Sequence, residues 1–201
     1  MDDSLIRLYD SCQENKGKYK CVIFLDIDGV LNDPDSAGYS YAGNYRGTIA
    51  AGHSVICEDM AAMLERIVQA SGGEIILTSS WRIYYHDTQD GSLEQVSERF
   101  RMLLRIFDKF GLSISGATEE IGFDSSSRPS EIRQWLTDKP DVERFVILDD
   151  MEWHWGWLAD YVVYTRRRDP SSPNGWRSGL DMENVREALR ILRVPEKDIN
   201  F

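Results

Sequence analysis

The stretch Val22-Ile23-Phe24-Leu25-Asp26-Ile27-Asp28-Gly29-Val30-Leu31-Asn32 is an apolar run that breaks into two carboxylates two residues apart. An apolar run of this length reads as a strand of a parallel sheet covered by helices on both faces. In such sheets ligands bind at the carboxyl ends of the strands. With Asp26 and Asp28 past the strand end, Gly29 lets the chain turn sharply away while both acids face one crevice. Carboxylates this close repel one another. A divalent cation relieves that repulsion, and hard oxygen ligands suit Mg²⁺. A lone acidic pair at a strand end is more often simply solvated, so the rest of the chain has to decide.

The pattern recurs at Phe145-Val146-Ile147-Leu148, a second buried-type strand that ends in Asp149-Asp150. Parallel strands present their ends on the same edge, so Asp26, Asp28, Asp149 and Asp150 are expected to converge around a single metal ion. A third apolar run, Glu74 to Leu77, ends in Thr78-Ser79-Ser80-Trp81-Arg82. A hydroxyl there, from Thr78 or Ser79, suits a phosphate oxygen, although hydroxyl-rich strand ends are also ordinary turns. Arg128 precedes Pro129 at a helix start, where backbone N–H groups and the helix dipole also favour an anion.

Working outward, short apolar runs alternate with amphipathic stretches. The candidate strands are Cys21 to Leu25, Glu74 to Thr78, Leu112 to Ser115, Arg144 to Leu148 and Tyr161 to Tyr164. A crossover helix is expected from Cys57, Met60, Ala61, Leu64, Ile67 and Val68, stopped by Gly72-Gly73. A second is expected from a Ser92/Gln95 capping box, through Leu93, Val96, Phe100, Leu103, Leu104 and Phe107, to Gly111. A short helix follows with Pro129 at its first position, and a last one runs from near Asp181 to about Arg193. The expected fold is α/β, a Rossmann-like three-layer sandwich with a mainly parallel five-stranded sheet. With no repeat and no long linker, residues 1–201 read as one domain, its core about 19–193 and its extension 1–18.

The chain has 201 residues, 42% hydrophobic and 28% charged, which excludes disordered, fibrous and membrane-bundle classes. Lys plus Arg number 23 against 34 Asp plus Glu, a net charge of −11, the wrong sign for general attraction to nucleic acid or anionic lipid. Cys12, Cys21 and Cys57 form no CxxC or zinc-type cluster, and the expectation is free thiols in a cytoplasmic, reducing compartment. No run approaches the roughly 20 apolar residues of a membrane span, and the first twenty residues carry acids rather than a leader pattern.

Taken in order, these motifs resemble the haloacid dehalogenase (HAD) superfamily. LDIDGVLN, LTSSWR, SRPSEIRQWL, FVILDD and GLDMENVREALRIL further resemble its small phosphatase-like domains, found alone or in RNA-repair proteins, and the likeness spans about Tyr19 to Leu192. The resemblance implies a Mg²⁺-dependent phosphomonoester hydrolase acting through an aspartyl-phosphate. Asp26 would be the nucleophile and Asp28 the acid/base; Ser79 or Thr78, with Arg128, would bind the phosphoryl oxygens. The Asp26 side chain, the Asp28 backbone carbonyl and an acid of Asp149-Asp150 would hold the metal. Retention of Asp28 disfavours dehalogenation. Both intervals where the family inserts caps look short, so an uncapped or minimally capped site is expected. The implied partner is a phosphorylated substrate, small molecule or nucleic-acid end, with no membrane and no readable obligate protein partner.

Weaker signals remain. Trp153, Trp155 and Trp157 can stack a base but more often pack. Arg166-Arg167-Arg168 with Arg177 is the strongest basic cluster, and a solvated surface run is at least as good a reading of it. Tyr39, Tyr41, Tyr45 and Arg46 lie near the first motif; His53, His86 and His154 lack metal spacing. Two alternatives compete with hydrolysis: a non-catalytic phosphate or nucleotide-binding module, and a receiver-like signalling domain, whose motif order differs from this one.

Overall fold

The computed structural model describes residues 19–32, 56–89, 98–121, 127–172, 175–195, 197 and 199. Five strands, β1 (Cys21–Leu25), β2 (Glu74–Leu77), β3 (Ile114–Ala117), β4 (Arg144–Asp149) and β5 (Val162–Tyr164), form one all-parallel sheet in the order β3-β2-β1-β4-β5. The expected Rossmann-like α/β fold is what the chain adopts. Residues of β1 alternate between two cores. Cys21, Ile23 and Leu25 join one with α1 (Glu58–Ser71), α3 (Glu98–Lys109) and α5 (Met182–Ile191). Val22 and Phe24 join the other with Ile132 and Trp135 of α4 (Ser127–Thr137) and with the 3₁₀ helix Gly156–Tyr161. Burial on both faces is why the strand reads as a continuous apolar run rather than an alternating one.

Several boundaries differ from expectation, for local reasons. The third strand starts at Ile114, not Leu112, because the Leu112 N–H donates back to the Phe107 carbonyl (2.8 Å), closing α3 around left-handed Gly111. Tyr161 belongs to the 3₁₀ helix, its ring stacked on Phe145 at 4.3 Å, so the fifth strand begins at Val162. Pro129 is the third residue of α4 rather than the first, still within the turn whose N–H groups have no helical partner. The helix α2 (Arg82–Gln89) was not anticipated; it follows a turn in which the Arg82 N–H donates to the Ser79 carbonyl (3.0 Å). A two-stranded antiparallel hairpin, β6 (Arg167–Arg168) and β7 (Trp176–Arg177), was likewise unforeseen. The Ser92/Gln95 capping box, Cys12, Tyr39, Tyr41, Tyr45, Arg46 and His53 lie outside the described residues. No helix among the described residues is long and apolar enough to cross a membrane.

Register places the site. Leu25 lies level with Leu77 on one side and Leu148 on the other, so β1 and β2 stop at the same height and β4 runs one residue further, to Asp149. The next backbone groups stay tied: Asp26 N–H donates to the Leu148 carbonyl (3.0 Å) and Thr78 N–H to the Leu25 carbonyl (2.9 Å). Asp26, Thr78 and Asp149 therefore stand side by side on one sheet edge.

Candidate active site

Arg128, in the first turn of α4, reaches across that edge. Its Nη1 donates to Asp149 Oδ2 at 2.8 Å and lies 3.4 Å from Asp26 Oδ1 and 3.5 Å from Thr78 Oγ1. Burial opposes its charge, but the carboxylates of Asp26, Asp149 and Glu131 outweigh it and hold the guanidinium pKa above its ordinary value. Carboxylate oxygens of Asp26, Asp149 and Asp150 lie within 4.8 Å of one another. Burial, reinforced by the Asp26 charge, pushes the pKa of Asp149 and that of Asp150 up to about 7.

Asp149 is completely buried, and its Oδ1 accepts from the Met151 N–H (2.8 Å) and the Trp153 indole N–H (3.1 Å). Trp153 also lies beside the Arg128 guanidinium, 5.4 Å from its ring centre. The Asp28 side chain is not in the three-carboxylate cluster. The Trp81 indole N–H donates to its Oδ2 (3.0 Å) and the Asn32 amide to its Oδ1 (3.1 Å), while Asn32 Oδ1 accepts from the Gly29 N–H (2.7 Å). Gly29 has φ of +80°, and a Cβ there would sit 2.4 Å from the Asp150 carboxylate, so this turn takes only glycine. Of the two candidate hydroxyls, Thr78 faces Arg128; the Ser79 hydroxyl turns back to the Trp81 N–H at 3.4 Å.

Behind the site lies a buried ion pair. Arg82 donates from Nη1 and Nη2 to both oxygens of Glu131 (2.8 and 2.9 Å) and from Nη1 to the Thr78 carbonyl (3.0 Å). It ties the strand end that carries Thr78 to the helix that carries Arg128.

The sequence pattern of the family described as "HAD domain in Swiss Army Knife RNA repair proteins" matches residues 22–169. This chain belongs to that family. A comparison with curated proteins found no match. The matched span of this HAD domain takes in every residue placed at the sheet edge above, and membership supports a phosphatase-type function. A Mg²⁺ ion, which the HAD family generally uses, fits what this domain presents: three hard carboxylates within 4.8 Å of one another, two of them with pKa raised by burial and by the Asp26 charge, and only Asp26 and Asp149 of the three paired with Arg128 among the described contacts.

The indole donors Trp81 and Trp153, the amide of Asn32 and the Arg82–Glu131 pair were not singled out from sequence as parts of the HAD domain's site. Tryptophan after a strand reads as packing, and nothing in its spacing shows where an indole N–H points. Of Trp153, Trp155 and Trp157, Trp155 is buried, Trp157 is exposed against Phe145, and Trp153 bonds to a site carboxylate.

Proposed function

We propose that this HAD domain is a Mg²⁺-dependent phosphomonoester hydrolase that forms an aspartyl-phosphate on Asp26. The observation that carries this reading is the convergence of Asp26, Thr78 and Asp149 on the single Arg128 guanidinium at one sheet edge. The arginine and the threonine hydroxyl supply donors where phosphoryl oxygens must be held, already in place before the substrate arrives.

An Asp26 carboxylate oxygen attacks phosphorus, the bond to the leaving oxygen breaks, and Asp28 gives that oxygen a proton. A water molecule then attacks the phosphorus of the aspartyl-phosphate. Asp28 takes its proton, the Asp26–phosphorus bond breaks, and inorganic phosphate leaves with both side chains restored. Trp81 and Asn32 orient the Asp28 carboxylate for both transfers. Asp26, Asp149 and Asp150 would hold Mg²⁺ with the Asp28 backbone carbonyl, and the bound ion supplies charge neutralisation between a carboxylate nucleophile and an anionic substrate.

The family description names RNA repair proteins, which supports a phosphorylated nucleic-acid end as one substrate class beside small phosphomonoesters. Free thiols at Cys21 and Cys57 support a cytoplasmic setting.

The test is Mg²⁺-dependent phosphate release from nucleotides, 3′- and 5′-phosphorylated oligonucleotides, sugar phosphates and phosphopeptides. Asp26→Asn is expected to abolish the phosphoenzyme, and Asp28→Asn to slow single turnover by about 10²–10⁴-fold. Full turnover by Asp26→Asn removes the nucleophile assignment. Silence across the panel from folded, Mg²⁺-binding protein shifts the reading to a binding module.

A further inference from the structure

The turn that carries Asp28 has little stiffness of its own. Gly29 takes φ of +80° and has no side chain to pack, so the place of the Asp28 carboxyl depends on what holds the backbone around it. Val30 and Leu31 N–H groups donate to the Ile27 carbonyl (3.2 and 2.9 Å), Leu180 N–H to the Val30 carbonyl (2.9 Å) and Cys57 N–H to the Leu31 carbonyl (2.8 Å). The Gly29 carbonyl has a donor of another kind. It accepts from a side chain, the Thr165 hydroxyl at 2.7 Å, 136 positions further along the chain.

Thr165 is 1% exposed and directly follows β5. Its backbone is fixed from two sides: its N–H donates to the Asp149 carbonyl (3.1 Å), and the preceding Tyr164 carbonyl accepts from the Asn184 amide (3.2 Å) in the first turn of α5. The amide and the hydroxyl of a threonine sit on neighbouring carbons, and β-branching restricts the torsion between them. Thr165 therefore spans the two halves of the site as a stiff post, with Asp149 at one end and the Gly29 peptide at the other. The halves are also in close packing, since a Cβ on Gly29 would sit 2.4 Å from the Asp150 carboxylate.

We propose that Thr165 is a positioning residue for proton transfer: its hydroxyl, anchored through the Asp149 backbone, holds the Gly29 peptide so that the Asp28 carboxyl stays in line with the leaving oxygen of the substrate. The assignment rests on the phosphatase reading for the proton that Asp28 gives. Thr165 acts through Asp28 and not by contact with substrate.

Thr165→Val keeps the branched shape and removes the hydroxyl. Leaving-group release is followed in single turnover for an alkyl phosphate, whose alkoxide needs the Asp28 proton, and for 4-nitrophenyl phosphate, whose phenolate leaves without one. A small misplacement of a catalytic group is costly, so the alkyl reaction should slow by about 10–10²-fold and the aryl reaction by less than about threefold. Adding Thr165→Val to Asp28→Asn should cost the alkyl reaction nothing further, because the two act as a unit. Thr165→Ser, which keeps the hydroxyl, should restore the wild-type ratio of the two rates. A ratio taken on one sample is independent of the fraction folded, and Thr165→Ala gives the same comparison if the valine variant does not fold. A readout that needs no turnover is the Trp81 indole N–H resonance, assigned with Trp81→Phe, since that group donates to Asp28. Thr165→Val should shift it and leave the Trp153 indole, bonded to Asp149, where it was. A shifted Trp81 resonance with no turnover of either ester by the wild type leaves Thr165 as the residue that places Asp28 and ends the hydrolase reading. Equal losses for the two esters, a further loss on top of Asp28→Asn, or an unmoved Trp81 resonance overturns the proposal.

Discussion

Glu131→Ala tests whether the site depends on the ion pair behind it. Glu131 is 2% exposed and Arg82 7%, and the substitution deletes the bonds at 2.8 and 2.9 Å. Arg82 keeps the Thr78 carbonyl at 3.0 Å and the Thr118 hydroxyl at 3.4 Å, but its Nε has no hydrogen-bond partner among the described residues. Two charge-assisted bonds at roughly 1.5–3 kcal/mol each bound the loss from above. Water entering the vacated space recovers part of it, so the expected loss is about 3–5 kcal/mol, the usual penalty for stranding a buried charge. That is a large share of a typical domain stability of about 5–15 kcal/mol. Glu131→Gln keeps the shape and one acceptor and should lose roughly half as much. Replacing both partners with apolar side chains, Arg82→Met/Glu131→Leu, strands no charge and should return stability to near the wild type. Its single-turnover rate should stay low, because nothing then ties the Thr78 strand end to the helix bearing Arg128. Urea unfolding followed by tryptophan fluorescence reads the stabilities. A loss below about 1 kcal/mol for Glu131→Ala, the range of an exposed pair, would refute the reasoning.

Other outcomes follow from the acid cluster. Native Asp149 and Asp150 hold protons up to about pH 7, well above the ordinary carboxylate range, so unfolding releases protons across that interval. Metal-free protein should therefore lose stability as pH rises from about 4 to about 7 and level off above. Mg²⁺ selects the ionised acids, so its increment in Tm should grow over the same interval; a pH-independent increment counts against Asp149 and Asp150 as its ligands. Trp153→Phe removes the 3.1 Å bond to Asp149 while keeping an aromatic ring beside Arg128. It should weaken Mg²⁺ binding by about tenfold, measured by calorimetry, because partners that orient a ligand carboxylate act on metal affinity at that scale. Unaltered binding would show that Met151 and Arg128 orient Asp149 without it.

Much of the site was legible because its acids sit at the ends of apolar runs. A strand buried on both faces needs unbroken apolar sequence, so the first polar residue marks its end, and parallel pairing puts those ends on one edge. Asp26, Thr78 and Asp149 were found in this way. Boundaries set by hydrogen bonds rather than polarity were misjudged: Leu112 reads as strand, yet its N–H closes α3. The Thr78 or Ser79 alternative depended on side-chain direction, which composition does not carry.

The sequence by itself determined the parallel sheet, its acidic edge and the family, because hydrophobic runs and the residues ending them are local properties of the chain. Only the tertiary structure decided that Thr78 rather than Ser79 faces Arg128, that Trp81 and Trp153 donate to Asp28 and Asp149, and that Arg82 pairs with Glu131. It also decided that Arg166 and Arg168 both lie against the Trp176 ring. The Arg128–Thr78, Trp81–Asp28 and Arg82–Glu131 contacts join residues about fifty apart in sequence, and even the local Trp153–Asp149 bond depends on side-chain direction, which spacing along the chain does not set.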